Sequence, residues 1–366
     1  MNRLFATILL CFAPIVLHAQ TIGSSLGSVS VTKLAGELKD PWAVAILPNG
    51  DYLITEKRGV LLLFNAQGER RRVSGVPSVE NKGQGGLLDV VAARDFVTSG
   101  TIFITYAKLQ SGGAGTALIS AKLDVGSAKL SQVKQLFEMQ TGTKGGRHFG
   151  SRIVEGRDGY LYVTVGERGD RPAAQDLSRH NGSVIRVARN GGVPQDNPFV
   201  GTQNAQPEIW SFGHRNPQGA ALDGSGVLWV SEHGAKGGDE VNMVRRGKNY
   251  GWPVISFGEH YSGQKIGEGS SKKGMEQPNF YWDPSIAPSG LMIYSGKMFA
   301  EWKGDFFIGA LKFDHIARLD RSGSRLRAGE FLKSRETKRV RDVREAPDGS
   351  IWFLSVDRRG LFRISR

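Results

Sequence analysis

Three observations in the sequence predict an all-β fold, a six-bladed β-propeller with four-stranded antiparallel blades. Glycine is abundant, at 49 of 366 residues, and the apolar runs are short. Long segments with helical amphipathic periodicity do not occur in the sequence. One pattern recurs instead: an apolar stretch, a turn of Pro, Asp or Gly residues, and an alternating apolar strand that often ends in Thr or Ser. Each copy is typical of a β-hairpin, because glycine in the turn readily takes a positive φ.

The hairpin pattern occurs six times along the chain. The copies begin at Ala43, Asp89, Arg152, Ala220, Met292 and Val343. Repeats of this kind predict six units that pack on their neighbours, and their spacing exceeds a minimal propeller blade. Some connections must therefore be long, and we expect polar, glycine-rich loops at 141–150, 168–207 and 250–288. A β-sandwich is the competing fold, but it does not predict six similar hairpins.

Residues 1–19 have the composition of a cleaved secretory signal peptide. A positive charge precedes the apolar stretch 4–17, and the small residue Ala19 marks the cleavage site. The apolar stretch is shorter than the roughly 20 residues that span a bilayer. Cleavage would remove Cys11, the single cysteine, which suits an oxidising compartment. We expect residues 20–366 to form one catalytic propeller domain, periplasmic or secreted as in Gram-negative bacteria; a retained membrane anchor is the alternative.

The chain is strongly basic, with a formal net charge of +13. Such an excess of positive charge can bind nucleic acid, a membrane surface or an anionic small molecule. The basic residues are scattered, with no basic helix and no aromatic-basic RNA motif. A solvated cationic surface therefore explains most of the charge, and we expect neither nucleic-acid binding nor stable membrane insertion. A few of these residues remain candidates for holding an anionic cofactor.

Polar groups concentrate beside glycines, which allow close backbone approach to a ligand. Four such segments are KGQGGLLDV, GGRHFGSRI, SFGHRNPQG and EHGAKGGDEVN, and two further segments, ALKFD and RVRDVRE, carry basic residues beside strand-like runs. In this order, together with PWAVAILPNG, YVTVGERGDR, NYGWP and RVRDVREAPDG, the chain resembles the soluble aldose sugar dehydrogenases that depend on pyrroloquinoline quinone (PQQ), of the glucose/sorbosone dehydrogenase type. The resemblance runs from Pro41 to Gly360.

The resemblance implies oxidation of an aldose at its anomeric carbon to the lactone, with hydride transfer to PQQ and electrons passed to a soluble acceptor. His148 matches the general base, a role that suits imidazole because its unperturbed pKa is near neutral. Arg215 matches a catalytic, cofactor-binding arginine that stabilises a developing oxyanion, and Asn216 matches a cofactor contact. Without the resemblance, His148 would be interpreted as a structural histidine.

Five more residues match positions around the cofactor. Lys312, Arg339 and Arg341 match the groups that meet the three PQQ carboxylates, for which Arg offers forked, charge-assisted hydrogen bonds. Strand alternation puts Arg339 and Arg341 on one side of the chain; an exposed charged strand face is the alternative. Gln84 matches a residue at the mouth of the active site, and Ser285 stands where the family has a hydroxyl near the cofactor.

Calcium is implied at two places. A catalytic Ca²⁺ would bind the main-chain carbonyls of Gly234 and Ala235, where it would act as a Lewis acid. Family members often have proline at the position of Ala235. A second, structural Ca²⁺ is implied near Glu240 and the carbonyl of Tyr250. By itself, the carboxylate of Glu240 would be interpreted as a surface group.

Departures from the better-known glucose-oxidising branch favour a broad-specificity aldose enzyme. We expect a monomer or homodimer. Arg147 stands where that branch has an acidic residue, and Arg168 where it has a polar amide.

Two other functions are alternatives to sugar oxidation. A calcium-dependent propeller lactonase would bind its metal through side-chain carboxylates and Asn. A non-catalytic binding propeller would have lost the base or the arginine of GHRN, and both are present as His148 and Arg215.

Overall fold

Residues 20–366 are described by the computed structural model, so the expected signal peptide at 1–19 lies outside the described residues. In chain order, the first fourteen strands are β1 Gln20–Ser24, β2 Gly27–Ala35, β3 Pro41–Ile46, β4 Tyr52–Glu56, β5 Val60–Phe64, β6 Arg70–Val73, β7 Leu87–Ala92, β8 Thr101–Gln110, β9 Gly113–Asp124, β10 Lys129–Glu138, β11 Ile153–Glu155, β12 Tyr160–Val165, β13 Ser183–Ala188 and β14 Ile209–Ser211. The remaining strands are β15 Pro217–Leu222, β16 Leu228–Glu232, β17 Asp239–Met243, β18 Phe280–Trp282, β19 Pro288–Ile293, β20 Phe306–Ala310, β21 Ile316–Ser322, β22 Arg325–Leu332, β23 Val340–Glu345, β24 Ile351–Ser355 and β25 Gly360–Ser365. Three short helices cover Phe96–Ser99, Arg171–Gln175 and Ala300–Trp302.

These strands form six antiparallel sheets around a ring, which confirms the six-bladed propeller. Five sheets hold four consecutive strands each: β3–β6, β7–β10, β11–β14, β15–β18 and β19–β22. The six hairpins found in the sequence are the first two strands of these five sheets and strands β23 and β24 of the sixth. The first strand of each hairpin contacts the first strands of the neighbouring hairpins, so these six strands line the axis of the ring.

The sixth sheet closes the ring and differs from the others. It has the order β1-β2-β25-β24-β23, so the N-terminal part of the described chain pairs with the C-terminal strand. The pairing of β2 with β25 runs from Ser30 opposite Ser365 to Ala35 opposite Leu361. Strand β1 adds a fifth, outer strand because it folds back on β2 as a hairpin.

Two of the three expected loops are interrupted by strands. The segment 141–150 contains no strand, as expected, but 168–207 contains β13 and 250–288 contains β18. The expectation of uninterrupted loops was wrong there because each of these strands pairs with a distant strand and has no hairpin turn of its own. Strand β13 pairs with β12, and β18 pairs with β17.

The sheets pack face to face through apolar side chains, and one polar network lies at the axis. Arg152 is 1 % exposed, and its Nη1 lies 2.9 Å from Oδ1 of Asp89 and 3.2 Å from Oδ1 of Asp342. Arg344 contacts the same two carboxylates at 3.1 Å. Burial raises the pKa of Asp89, and the two guanidiniums oppose that rise. Arg152 Nε also donates to the carbonyl of Gln218, at 3.1 Å.

The same carboxylates tie further strands to the axis. Asp89 accepts the amide N–H of Ile153 at 2.8 Å, and Asp342 accepts that of Val44 at 3.1 Å. The network therefore joins five of the six sheets at the centre of the ring.

None of the helices within residues 20–366 has the length and apolar character needed to cross a membrane.

We predict that Arg152→Met lowers the free energy of unfolding by about 3 kcal/mol, because it removes one of the two cations that the buried Asp89 and Asp342 share and leaves only Arg344. Urea unfolding followed by tryptophan fluorescence measures the change. Arg157→Met is the control, since Arg157 is exposed and donates only to the carbonyl of Gly224. Equal, small losses in the two variants would contradict a central role for the network.

Candidate active site

Two adjoining cavities open among the loops at one end of the ring. The larger has a volume of about 960 Å³ and the smaller about 450 Å³. Gln84, His233, Ala287 and Lys312 line both cavities. The loops that precede β7, β11 and β15 contribute Gln84, His148 and Arg215 to the larger one. The fold therefore gathers these loops from successive sheets around one site.

His148 lies in the wall of the larger cavity and is 8 % exposed. Its φ of 54° is left-handed, and its amide N–H donates to Oε1 of Gln84 at 2.7 Å. The Nδ1 atom lies 2.6 Å from Oε2 of Glu167. Burial lowers the pKa of His148; the Glu167 carboxylate raises it in part, and Arg215 lowers it further. The ring is thus held in one orientation, with Nε2 as the nitrogen that Glu167 does not contact.

Arg215 lies in the same wall and is 7 % exposed. Its Nη1 donates to the carbonyl of His233 at 3.2 Å, and its guanidinium lies 5.2 Å from the ring centroid of Trp252. Its Nε is buried without a hydrogen-bond partner among the described residues. Burial lowers the pKa of Arg215, and Glu167 opposes that effect. The side chain is a positioned cation with a donor still uncommitted.

Asn216 does not line either cavity, although it follows Arg215 directly. It is buried, and its Oδ1 accepts the amide of Gly150 and Nε2 of Gln218, each at 3.1 Å. It therefore supports the loop that carries His148. Its expected contact with a cofactor stays a prediction.

The three expected carboxylate-binding cations converge on the smaller cavity, which Lys312, Arg339 and Arg341 all line. Arg339 precedes β23 and has a left-handed φ of 48°, so it reaches the cavity from outside the strand. Arg341 lies in β23 and donates from Nη1 to Oε1 of Gln218 at 3.1 Å. Burial and the charge of Arg339 lower the pKa of Arg341 to about 10. Both residues line this cavity, but strand alternation does not explain it, because Arg339 lies outside β23.

The expected calcium-binding backbone lies in the wall of the larger cavity. Gly234 donates its amide to Oδ1 of Asp239 at 2.7 Å, and Ala235 follows it in the same wall. Ser285 donates to the same oxygen at 3.0 Å and accepts the amide of Gly237 at 3.0 Å. A Cβ at Gly234 would meet the carbonyl oxygen of Gly237 at 2.2 Å. The tight turn therefore requires glycine at this position.

Glu240 and Tyr250 line a narrow cleft that adjoins the larger cavity, and Glu232 lines it with them. Burial and the Glu232 carboxylate raise the pKa of Glu240 to about 8. The Tyr250 hydroxyl donates to the carbonyl of Met243 at 2.6 Å, and its ring stacks on His214. Two carboxyl groups thus share a buried cleft beside the expected metal site.

Sequence reasoning missed two residues of the site, Glu167 and His233. Glu167 follows the end of β12 in GERGD, and a carboxylate directly after a strand beside the long loop was an available signal. His233 had no assignment, yet it lines both cavities and its Nε2 lies 2.8 Å from the carbonyl oxygen of Pro288. Their roles depend on contacts between loops that are distant in sequence.

Arg147 and Arg168 line neither cavity. The Arg168 guanidinium lies 3.3 Å from the ring centroid of Phe149 and donates to the carbonyl of Ala114 at 3.1 Å. Burial lowers the pKa of Arg168 to about 9. Arg168 therefore braces the loop that carries His148 instead of facing a substrate.

We predict that His233→Gln reduces the acid sensitivity of the cofactor-free protein. Burial and the charges of Arg215 and Arg341 lower the pKa of His233 to about 3, whereas an unfolded histidine titrates near 6.5. The unfolded chain therefore binds more protons between these values, and stability falls as pH falls through that window. Urea midpoints at pH 7.5 and 4.5 should differ less in the variant than in the wild type. Equal differences would contradict a neutral His233.

Comparison with known proteins agrees with this architecture. The model of the glucose/sorbosone dehydrogenase family matches residues 38–364. The aldose sugar dehydrogenase YliI of Escherichia coli is 40% identical over 359 residues, which cover 96% of this chain and 97% of that protein. The structure of the soluble E. coli aldose sugar dehydrogenase in its apo-form matches with a TM-score of 0.90 and 40% identity, covering 92% of this chain and 99% of that one. The PQQ-bound aldose sugar dehydrogenase of Streptomyces coelicolor matches with a TM-score of 0.77 and 26% identity, covering 92% and 98%. The chain therefore belongs to the glucose/sorbosone dehydrogenase family.

Proposed function

We propose that this chain oxidises aldose sugars at the anomeric carbon to the lactone, with PQQ as cofactor and a soluble compound as the electron acceptor. The pairing of His148 with Glu167, in a cavity that adjoins a basic one, is the observation that carries the proposal. The Streptomyces relative with PQQ bound supports the choice of cofactor.

The smaller cavity suits a molecule with several carboxylates. Lys312, Arg339 and Arg341 supply three cations, and Asp40, the single carboxylate lining this cavity in the described chain, already pairs with Lys57 at 3.1 Å. The lowered pKa of Arg341 reflects a charge that burial disfavours and that an anion would stabilise. These cations would hold the PQQ carboxylates, with Gln84, Asn216 and Ser285 completing the proposed set. When bound, PQQ supplies a quinone that accepts the hydride from the anomeric carbon.

His148 would take the proton of the anomeric hydroxyl on Nε2. Its Nδ1 faces Glu167, so the carboxylate fixes the ring and stabilises the imidazolium that forms. The sugar thereby loses a proton from oxygen and a hydride from carbon, which leaves the lactone carbonyl. Arg215 would place its guanidinium against negative charge that develops during this oxidation.

Calcium would complete the site. We propose one Ca²⁺ at the carbonyls of Gly234 and Ala235 and another near Glu240 and the carbonyl of Tyr250. No group of three or more His, Cys, Asp or Glu side chains with metal-binding spacing occurs in residues 20–366, so backbone oxygens would supply many of the ligands, which Ca²⁺ accepts. Burial and the Glu232 carboxylate disfavour ionisation of Glu240 in this cleft, and a bound cation would stabilise its ionised form.

The proposal also covers the substrate range, the cellular location and the oligomeric state. We propose a broad aldose range over strict use of glucose from the sequence departures at Arg147 and Arg168; their side chains line neither of the two cavities, so their effect on the substrate would be indirect. The composition of residues 1–19 supports export to the periplasm or medium, and we expect a monomer or homodimer.

We predict that protein reconstituted with PQQ and Ca²⁺ reduces a dye acceptor with several aldoses. His148→Gln should keep PQQ binding, measured by absorbance titration, and lose about 10²–10⁴-fold in kcat because the general base is removed. His180→Gln is the matched control, since His180 is buried outside both cavities and pairs with Glu208 at 3.3 Å. Absence of both turnover and a PQQ-dependent absorbance change would refute the function. Normal turnover by His148→Gln would refute only the assigned base.

We predict that Glu167→Gln lowers kcat and moves the acid limb of the kcat–pH profile to lower pH. Glu167 raises the pKa of His148 through its hydrogen bond and its charge, so removing the charge lowers that pKa. The weaker base should turn over roughly tenfold to 100-fold more slowly at pH 7. Glu208→Gln, which alters the equivalent pair with His180, should leave the profile unchanged. An unshifted limb in Glu167→Gln would show that Glu167 does not act through His148.

A further inference from the structure

A separate basic pocket, which we call the joint pocket, lies between the first sheet and the sheet that closes the ring. It has a volume of about 460 Å³ and shares no residue with the two active-site cavities. Five cations, two carboxylates and two apolar side chains line it: Lys39, Arg58, Arg70, Arg72, Arg359, Glu37, Glu56, Val60 and Leu62. The formal charge of this wall is +3, and its volume lies in the range of small-molecule sites.

Two arginines of β6 give the pocket its free charge. Arg70 pairs opposite Phe64 and Arg72 opposite Leu62, so both project from the sheet face that packs toward the closing sheet. Neither takes part in an ion pair within residues 20–366. Arg71, between them, projects the other way and donates to backbone carbonyls of the 124–127 turn. The alternation therefore sends two guanidiniums without an ion-pair partner among the described residues into the pocket, and Arg71 away from it.

A buried carboxylate organises the remaining cations. Glu56 is 1 % exposed; its Oε1 accepts the amide of Lys39 at 2.6 Å, and its Oε2 lies 2.7 Å from Nη2 of Arg58. Arg359, from the turn between β24 and β25, donates from Nε to the carbonyl of Leu38 at 3.1 Å. These contacts hold the side chains of Arg58 and Arg359 and the backbone at Lys39 in place before any ligand arrives, which lowers the entropy cost of binding.

The wall between this pocket and the smaller active-site cavity is thin. Lys39 and Arg58 line the pocket, whereas their chain neighbours Asp40 and Lys57 line the cavity. The two sites are therefore distinct, and the basic groups expected to hold PQQ do not contribute to this one.

We propose that the joint pocket binds a small anion that carries two or more phosphate or carboxylate groups. Forked arginine donors match both groups, and a multivalent anion uses cations contributed by both sheets. Such a ligand bridges the first sheet and the closing sheet, so it stabilises the closed ring. The proposal does not depend on sugar oxidation.

Calorimetric titration of the cofactor-free full chain with pyrophosphate, and separately with citrate, tests the proposal. The Arg339→Ala/Arg341→Ala background removes the competing basic cavity. In this background variant we expect one saturable binding site, and we expect the thermal unfolding midpoint to rise as the probe is added. Adding Arg70→Ala/Arg72→Ala should weaken binding at least tenfold and remove the thermal shift. The relative affinities for pyrophosphate and citrate identify the preferred group.

The matched control is Arg325→Ala/Arg327→Ala. These arginines are exposed at the same spacing on the outer strand β22, and they line none of the described cavities, so binding should change less than twofold. In a chain with Arg339 and Arg341 intact, Arg70→Ala/Arg72→Ala should remove one of two binding events, which keeps the test valid if the background variant folds poorly. No saturable binding of either probe, or equal losses in the two arginine pairs, would overturn the proposal.

Discussion

The ring depends on a buried guanidinium at its axis. Apolar contacts between the sheets are strong but non-directional, and they do not by themselves fix how the first strands meet at the centre. Arg152 fixes this meeting by bridging Asp89 and Asp342, which belong to the second and sixth sheets. A buried ion network of this kind contributes little net stability compared with an apolar core, but breaking it leaves uncompensated charge. Its main physical effect is to select one arrangement of the inner strands.

That arrangement positions the active site, because the functional loops enter and leave the inner strands. The loop with His148 ends directly before Arg152, and Arg341 directly precedes Asp342. Gln218 connects the two sides: its Oε1 accepts from Arg341, and its Nε2 donates to the carbonyl of Gly150 at 3.3 Å. The loop that carries His148 and the basic cavity are therefore connected to each other through the same axis.

The sequence predicted the parts of the fold that local contacts determine. Six hairpins could be recognised because each contains both strands and their turn within a few residues. Closure by β2 and β25 could not, because the partners lie at opposite ends of the described chain and neither has a local signal for the other. Strands β13 and β18 were predicted to be loop because they too lack a local signal for their partner strands.

The residues of the candidate site also divide into those that the sequence predicted and those that it did not. His148, Arg215 and the three cations were recognised through motifs that resemble a family, and the structure brings them to adjoining cavities. Glu167 and His233 acquire their roles only from contacts across loops, so residue type and spacing did not reveal them. Asn216 stands in a recognisable motif, yet its side chain turns toward Gly150.

Closure by β2 and β25 also orders the folding of the molecule. The five sheets of consecutive strands between them form from neighbours in sequence, whereas pairing Ser30 with Ser365 requires the two ends of the described chain to meet. We expect the entropy of closing so large a loop to make this pairing slower than the formation of the hairpins. The joint pocket contains residues of both the first sheet and the closing sheet, so the anion binding that we propose there would require a closed ring and would report on its closure.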